Sequence, residues 1–283
     1  MEKKGILMYY KTEKSAEEEI HLGEKARQIG LDVVALSQKE VQALEPETEL
    51  DVLGAVHYRD AHLYPNQLIP QLIKHLKKAG VTFKTNSPVQ LIIKEGNKIK
   101  KVVTPTGEDE ADVVVMAGGS WLPQLTKMAG VEVSLMPGKG YSFTLPEPKQ
   151  KLNIPAMLCE ARVAITPMNG KMRYGGTMEI GSMQNKINLN RVQGIVESVS
   201  KYFSNIKLEM PAQKDIWHGF RPCTPDGLPY IGYTKKVTNL LVAGGHAMSG
   251  LSLGPATGKI ISELANWQPA SVKIDAFRPD RFS

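Results

Sequence analysis

Four apolar residues, Leu240-Leu241-Val242-Ala243, run into Gly244-Gly245-His246-Ala247-Met248-Ser249-Gly250, and a helical pattern opens at about Leu251. A strand that ends on bare glycines and opens a helix lets backbone N–H groups approach an acceptor-rich ligand closely, which is the build of a cofactor-gripping loop. Just upstream, Trp217-His218-Gly219-Phe220-Arg221-Pro222 wedges an arginine into a stretch that otherwise reads as buried strand and tight turn. An arginine placed there calls for an anionic partner, and a carboxylate fits the planar fork of its guanidinium.

Read together, G-F-R-P-x-T-P-D-G-L-P-x-I-G and A-G-G-H-x-x-S-G-L-x-L-G-P-A-T-G resemble the C-terminal flavin-binding signature of the D-amino acid oxidase superfamily. Within it the likeness is to bacterial D-amino acid dehydrogenases, with glycine oxidase a near relative. The resemblance implies an α/β protein, α+β overall. An incomplete FAD/NAD(P)-type nucleotide-binding domain (1–138 and 206–283) would flank an antiparallel-sheet substrate domain (139–205), to which some of the early segments are also assignable. It implies FAD as cofactor, with Val89, Gly118, Gly119, Trp121, Gly244, Gly245, Met248, Ser249, Gly250 and Leu251 beside it. Arg221 would bind the substrate carboxylate by a two-point contact, with Tyr141 and His62 as further candidates at the reaction centre. Tyr174 is a second candidate for the tyrosine that some oxidases place over the substrate. Met248 stands where glycine oxidase-like sequences carry a second arginine, which favours an apolar or small substrate side chain.

The implied reaction is oxidative deamination of a D-amino acid to a 2-oxo acid and ammonia, with a quinone chain or oxygen as the next electron acceptor. The family's opening strand, G-x-G-x-x-G turn and helix have no counterpart in these 283 residues. Three readings therefore stay open: a D-amino acid dehydrogenase, a glycine- or sarcosine oxidase-like amine oxidase, or a non-catalytic fragment that holds FAD poorly by itself.

Composition narrows the field. At 42% hydrophobic and 23% charged, the chain has the balance of a globular protein with one large or two moderate cores. The net charge of +6 is spread along the sequence without an Arg/Lys block interleaved with aromatics, which argues against nucleic-acid binding and allows a weak, peripheral attraction to an anionic membrane face. No apolar run approaches the roughly 20 residues that span a bilayer, and Met1-Glu2-Lys3-Lys4 lacks a secretory apolar stretch, so a cytoplasmic protein is expected. Cys159 and Cys223 lack the spacing of a zinc or disulfide framework, and no metal site is expected.

Local signals fill in the rest. Residues 5–11 and 31–36 read as strands around a helix from Thr12 to Gly30, and Ser37 with Glu40 has capping-box spacing for a helix to Leu44. Pro65 opens a helix with the stripe Leu68, Leu72, Ile73 and Leu76, ending near Gly80. Strands are expected at Val81–Lys84, Val89–Ile93, Ile99–Val103 and Asp112–Ala117, the last covered on both faces. Lys139–Leu145 reads as another strand, Asn169-Gly170 joins two more in a tight hairpin, and helices follow at Leu189–Phe203 and Leu251–Trp267.

Overall fold

The structure, a computed structural model, describes residues 2–181 and 183–282. In chain order the elements are β1 (Ile6–Tyr10), α1 (Glu13–Gln28), β2 (Val33–Ser37), α2 (Gln38–Leu44), β3 (Gly54–Tyr58), α3 (Pro65–Lys78) and β4 (Leu91–Glu95). Next come β5 (Lys98–Thr104), β6 (Gly107–Asp109), β7 (Val114–Met116), α4 (Leu122–Met128), β8 (Met136–Leu145), β9 (Ala156–Leu158), β10 (Val163–Met168) and β11 (Lys171–Ile180). The last are α5 (Leu189–Tyr202), β12 (Trp217–Cys223), β13 (Tyr230–Tyr233), β14 (Leu240–Gly244) and α6 (Gly250–Ala265). Two compact units divide the chain: Met1–Thr82, Gly140–Met178 and Asn185–Gly219 in the first, Phe83–Lys139, Glu179–Gln184 and Phe220–Ser283 in the second. Most of the segment 139–205 thus shares a unit with residues 1–82.

The first unit is built on a sheet of order β12-β8-β11-β10-β9-β1-β3-β2. β1 pairs antiparallel with β3 and parallel with β9, so Leu7 and Tyr9 are buried completely. The β10–β11 hairpin turns at Asn169 and Gly170 with φ of 51° and 78°, the doubly left-handed geometry for which Asn-Gly is suited. α5 buries Val192, Ile195, Val196, Val199 and Tyr202, a stripe at helical spacing, against the core that includes Phe143, Met172 and Tyr174. The capping box forms: the Ser37 hydroxyl accepts from the Glu40 amide while Glu40 accepts from the Ser37 amide at 2.8 Å.

Glu45 ends α2 and is 1% exposed. Its carboxylate accepts the amides of Asn153 at 2.7 Å and Ile154 at 2.9 Å. Burial nevertheless outweighs those bonds and pushes its pKa up to about 7.

Two features go beyond the local sequence signals. α3 forms where its Pro and apolar spacing place it, but it buries none of its residues, and Leu68 and Leu72 lie exposed. Periodicity marks which face is apolar, not whether anything covers it. β3 also carries no helical or turn signal of its own and exists because β1 and β2 pair along both its edges.

The second unit holds two small sheets. β14 pairs antiparallel with β13 and parallel with β7, in the order β13-β14-β7, and the meander β4-β5-β6 stands apart. Asn239 ties the meander to the β14 entry: its side chain accepts from the Ile99 amide at 2.8 Å and donates to the Ile99 carbonyl at 2.9 Å. The core gathers Ile92, Ile99, Met116, Leu122, Tyr230, Val237, Leu240 and Val242. Val81–Lys84 forms no strand, and the run Asp112–Ala117 shortens to β7, an edge strand whose Val115 is 42% exposed rather than covered on both faces.

Candidate flavin and carboxylate site

The parallel register of β7 and β14 sets the site. Met116 lies opposite Val242, so two residues farther on Gly118 and Gly244 leave the sheet at the same level. Ligands of open α/β sheets bind beyond such carboxyl ends. Gly118 suits its turn because a Cβ there would stand 2.4 Å from Leu125 Cδ1, and Gly119 has φ of 55°. Ser120 donates its hydroxyl to the Phe220 carbonyl at 3.2 Å, and the Trp121 ring meets Phe220 edge-on. The first glycine turn is thereby joined to the strand that carries Arg221.

The second glycine loop is held on the same strand. Cys223 bridges His246, and the Ala247 amide donates to the Pro222 carbonyl at 2.9 Å. Gly245 has φ of 81°, and a Cβ on it would stand 2.6 Å from Thr224 Cγ2, so both its conformation and its space exclude a side chain. Ala247 adopts φ of 47°, strain that an L-residue carries only where the surroundings enforce it. His246 Nε2 lies 2.9 Å from the Thr257 hydroxyl, and burial lowers the ring's pKa, so it is neutral near pH 7. α6 begins at Ser249 with no side-chain cap, leaving the positive end of its dipole available to an anion. Met248 stands 73% exposed at that end.

Arg221 is the charged group of this assembly. It is half-buried, and its Nη1 is enclosed with no hydrogen-bond partner. Burial lowers its pKa, yet a guanidinium stays protonated at any working pH, so the site holds a fixed positive charge with an unanswered donor.

Behind it, Asp226 of the T-P-D-G-L-P turn is clamped by Arg281, which donates to both its carboxylate oxygens at 2.8 and 2.9 Å and to the Leu228 and Pro229 carbonyls. This bonding, led by the Arg281 hydrogen bonds, lowers the Asp226 pKa to about 2. Asp226-Gly227 announces its turn in the sequence. Arg281, 55 residues away, gives no such signal.

The structure thus brings Gly118, Gly119, Trp121, Arg221, Gly244, Gly245, Met248, Ser249, Gly250 and Leu251 into one unit. Val89 lies in that unit too, packed against its core. Tyr141 and His62 belong to the first unit. Tyr141 is 1% exposed and accepts a bond from the Asn188 amide at 3.3 Å. His62 encloses both ring nitrogens without a hydrogen-bond partner, 3.7 Å from a Glu2 oxygen, and its backbone pairs with Glu2. Tyr174 stacks on Phe143 in the core. Sequence reasoning missed Thr224 and the His246–Thr257 pair, whose parts are spread along the chain.

Residues 1–264 match the DAO family, described as FAD dependent oxidoreductase. The chain belongs to that family. It is 28% identical over 263 residues to a D-amino acid dehydrogenase of Helicobacter pylori, covering 92% of this chain and 62% of the relative. A D-amino acid dehydrogenase of Allorhizobium ampelinum is 31% identical over 71% of this chain and 48% of its own length. The chain therefore spans about half to three-fifths of these curated relatives. Among solved structures, glycine oxidase from Geobacillus kaustophilus superposes with a TM-score of 0.90 at 25% identity, covering all of this chain and 76% of that one.

FAD is the cofactor of this family, and the residues present fit part of it. An uncapped helix start, two glycine turns at one sheet end and an enclosed cation are groups that could hold part of an anionic cofactor.

Proposed function

We propose that this chain carries the flavin-ring and substrate-carboxylate machinery of a D-amino acid dehydrogenase. The observation that supports it is Arg221: a buried guanidinium nitrogen with no partner is a receptor for a planar anion. Arg221 binds the substrate carboxylate and orients the α-carbon. The backbone at Gly244–Leu251 and the start of α6 supply dipoles toward negative charge, and Gly118–Trp121 form the opposite wall. The substrate reacts as its neutral amine. FAD, when bound, would supply the two-electron acceptor for the α-carbon hydride. Water then hydrolyses the imino acid to a 2-oxo acid and ammonia. The name of the dehydrogenase relatives supports a quinone-type acceptor in place of oxygen.

The test uses flavin-loaded protein. Arg221→Leu should raise KM for D-alanine by about 100-fold or more while leaving flavin content unchanged, as removal of one partner of a desolvated charge pair costs ~2–5 kcal/mol. An unchanged KM removes Arg221 from the site. The glycine oxidase likeness favours a second reading, an amine oxidase. Dye reduction without oxygen consumption supports the dehydrogenase, and stoichiometric hydrogen peroxide supports the oxidase.

A further inference from the structure

The first unit carries a cleft of about 860 Å³ whose lining includes none of the residues assigned to the flavin and carboxylate site. Its size falls within the range of small-molecule sites. The cleft has a charged wall and an apolar wall. β11 alternates, so Met172 and Tyr174 enter the core and Lys171 and Arg173 stand on the opposite face, two residues and roughly 7 Å apart. Arg173 is held in place: its Nη2 donates to the buried Ser142 hydroxyl at 3.0 Å, and its guanidinium lies 5.8 Å from the centre of the Trp217 ring. Of the lining residues, Asp215 is the one carboxylate against these two cations. The other wall is apolar, with Leu145, Pro146 and Met168 in it, and Trp217 leaves 60% of its surface uncovered.

The geometry points to a binding site for a flat aromatic carboxylate. The ring covers the Trp217 indole and the apolar wall, and the carboxylate meets the positive field of Arg173 and Lys171. A zwitterionic amino acid fits less well, because its ammonium would face the same two cations. A neutral aromatic gains the wall but not the field.

Two sources share this chemistry: the 2-oxo acid left by deamination of an aromatic amino acid, and an aromatic acid unrelated to that reaction. Titration calorimetry on the Arg221→Leu chain with no flavin added separates this site from the proposed oxidation, since the carboxylate receptor of that reading has been removed. The probes are phenylpyruvate, 2-naphthoate and neutral 2-naphthamide. Saturable binding of either acid is expected, with the amide at least about tenfold weaker and with affinity falling as salt rises. Tighter binding of phenylpyruvate assigns the site to the product acid, and tighter binding of 2-naphthoate to the unrelated acid. Arg173→Met should weaken both acids about tenfold or more with the circular dichroism spectrum unchanged, and Lys171→Met should do so to a smaller extent. Absence of binding by both acids, equal binding of acid and amide, or unchanged affinity in a folded Arg173→Met variant overturns the proposal.

Discussion

An enclosed guanidinium nitrogen without a partner destabilises the ligand-free protein, because desolvation is not repaid by a hydrogen bond. Arg221 is in that state. The Arg221→Leu variant should therefore melt higher than the parent in the absence of ligand, by roughly 1–2 kcal/mol of stability, while losing the carboxylate site. A lower melting temperature in differential scanning calorimetry would show that Arg221 is held by bonds essential to the fold. Glu45 sets a separate pH dependence. Its carboxyl titrates near 4.5 in an unfolded chain and at about 7 in the fold, so the folded protein binds the extra proton. That stabilisation is complete below pH 4.5 and is lost as pH rises through 7, a fall of roughly 3 kcal/mol for this fully buried group. Glu45→Gln stays neutral throughout and should flatten the urea midpoint between about pH 5 and about pH 8; the same slope in both proteins would clear Glu45 of the effect.

Among the elements, the turn at Asp226 is held by the C-terminal Arg281 as well as by bonds among its own residues. Arg281 bonds both Asp226 oxygens and lies 4.2 Å from the centre of the Tyr230 ring. Because this bonding depresses the Asp226 pKa, its contribution is present above 3.8 and lost as pH falls through about 2. Discounted for the partial exposure of Asp226, Arg281→Ala should cost about 1–2 kcal/mol, read as a urea midpoint shift near neutral pH that shrinks in an Asp226→Asn background to what the Leu228 and Pro229 carbonyl bonds and the Tyr230 contact contribute. This clamp also marks where the sequence stops being informative. The Ser37–Glu40 capping box and the Asn169-Gly170 hairpin were legible because each is settled within four residues. The glycine loop and Arg221 were legible because their chemistry is rare in a strand exit. β3, the edge position of β7 and the uncovered stripe of α3 were not, since each is decided by what lies alongside in space. Thr224 escaped for the same reason: its methyl fills the space that a side chain on residue 245, 21 positions away, would need.

Taken whole, the 283-residue chain leaves several large apolar side chains in water. Val115 on the free edge of β7, Leu251 and Leu253 on α6, and Ile69 and Leu72 on α3 are all exposed. An apolar strand edge is a template for association, and a single lysine is a common way of blunting one. Sedimentation velocity should show the chain self-associating with concentration, and Val115→Lys should shift it toward monomer without changing its circular dichroism spectrum; a parent that stays monomeric at high concentration would remove β7 as an adhesive edge. The side chains on that surface also fix which optical signals report on folding. The three tryptophans, Trp121, Trp217 and Trp267, are 53%, 60% and 72% exposed in the native state, whereas Tyr9, Tyr141, Tyr174 and Tyr230 are fully enclosed. Indole emission from rings this exposed should already lie toward that of a solvated indole before denaturant is added, so its wavelength should move little on unfolding. Tyrosine absorbance near 280 nm, followed by derivative spectroscopy, is the signal that will carry the transition.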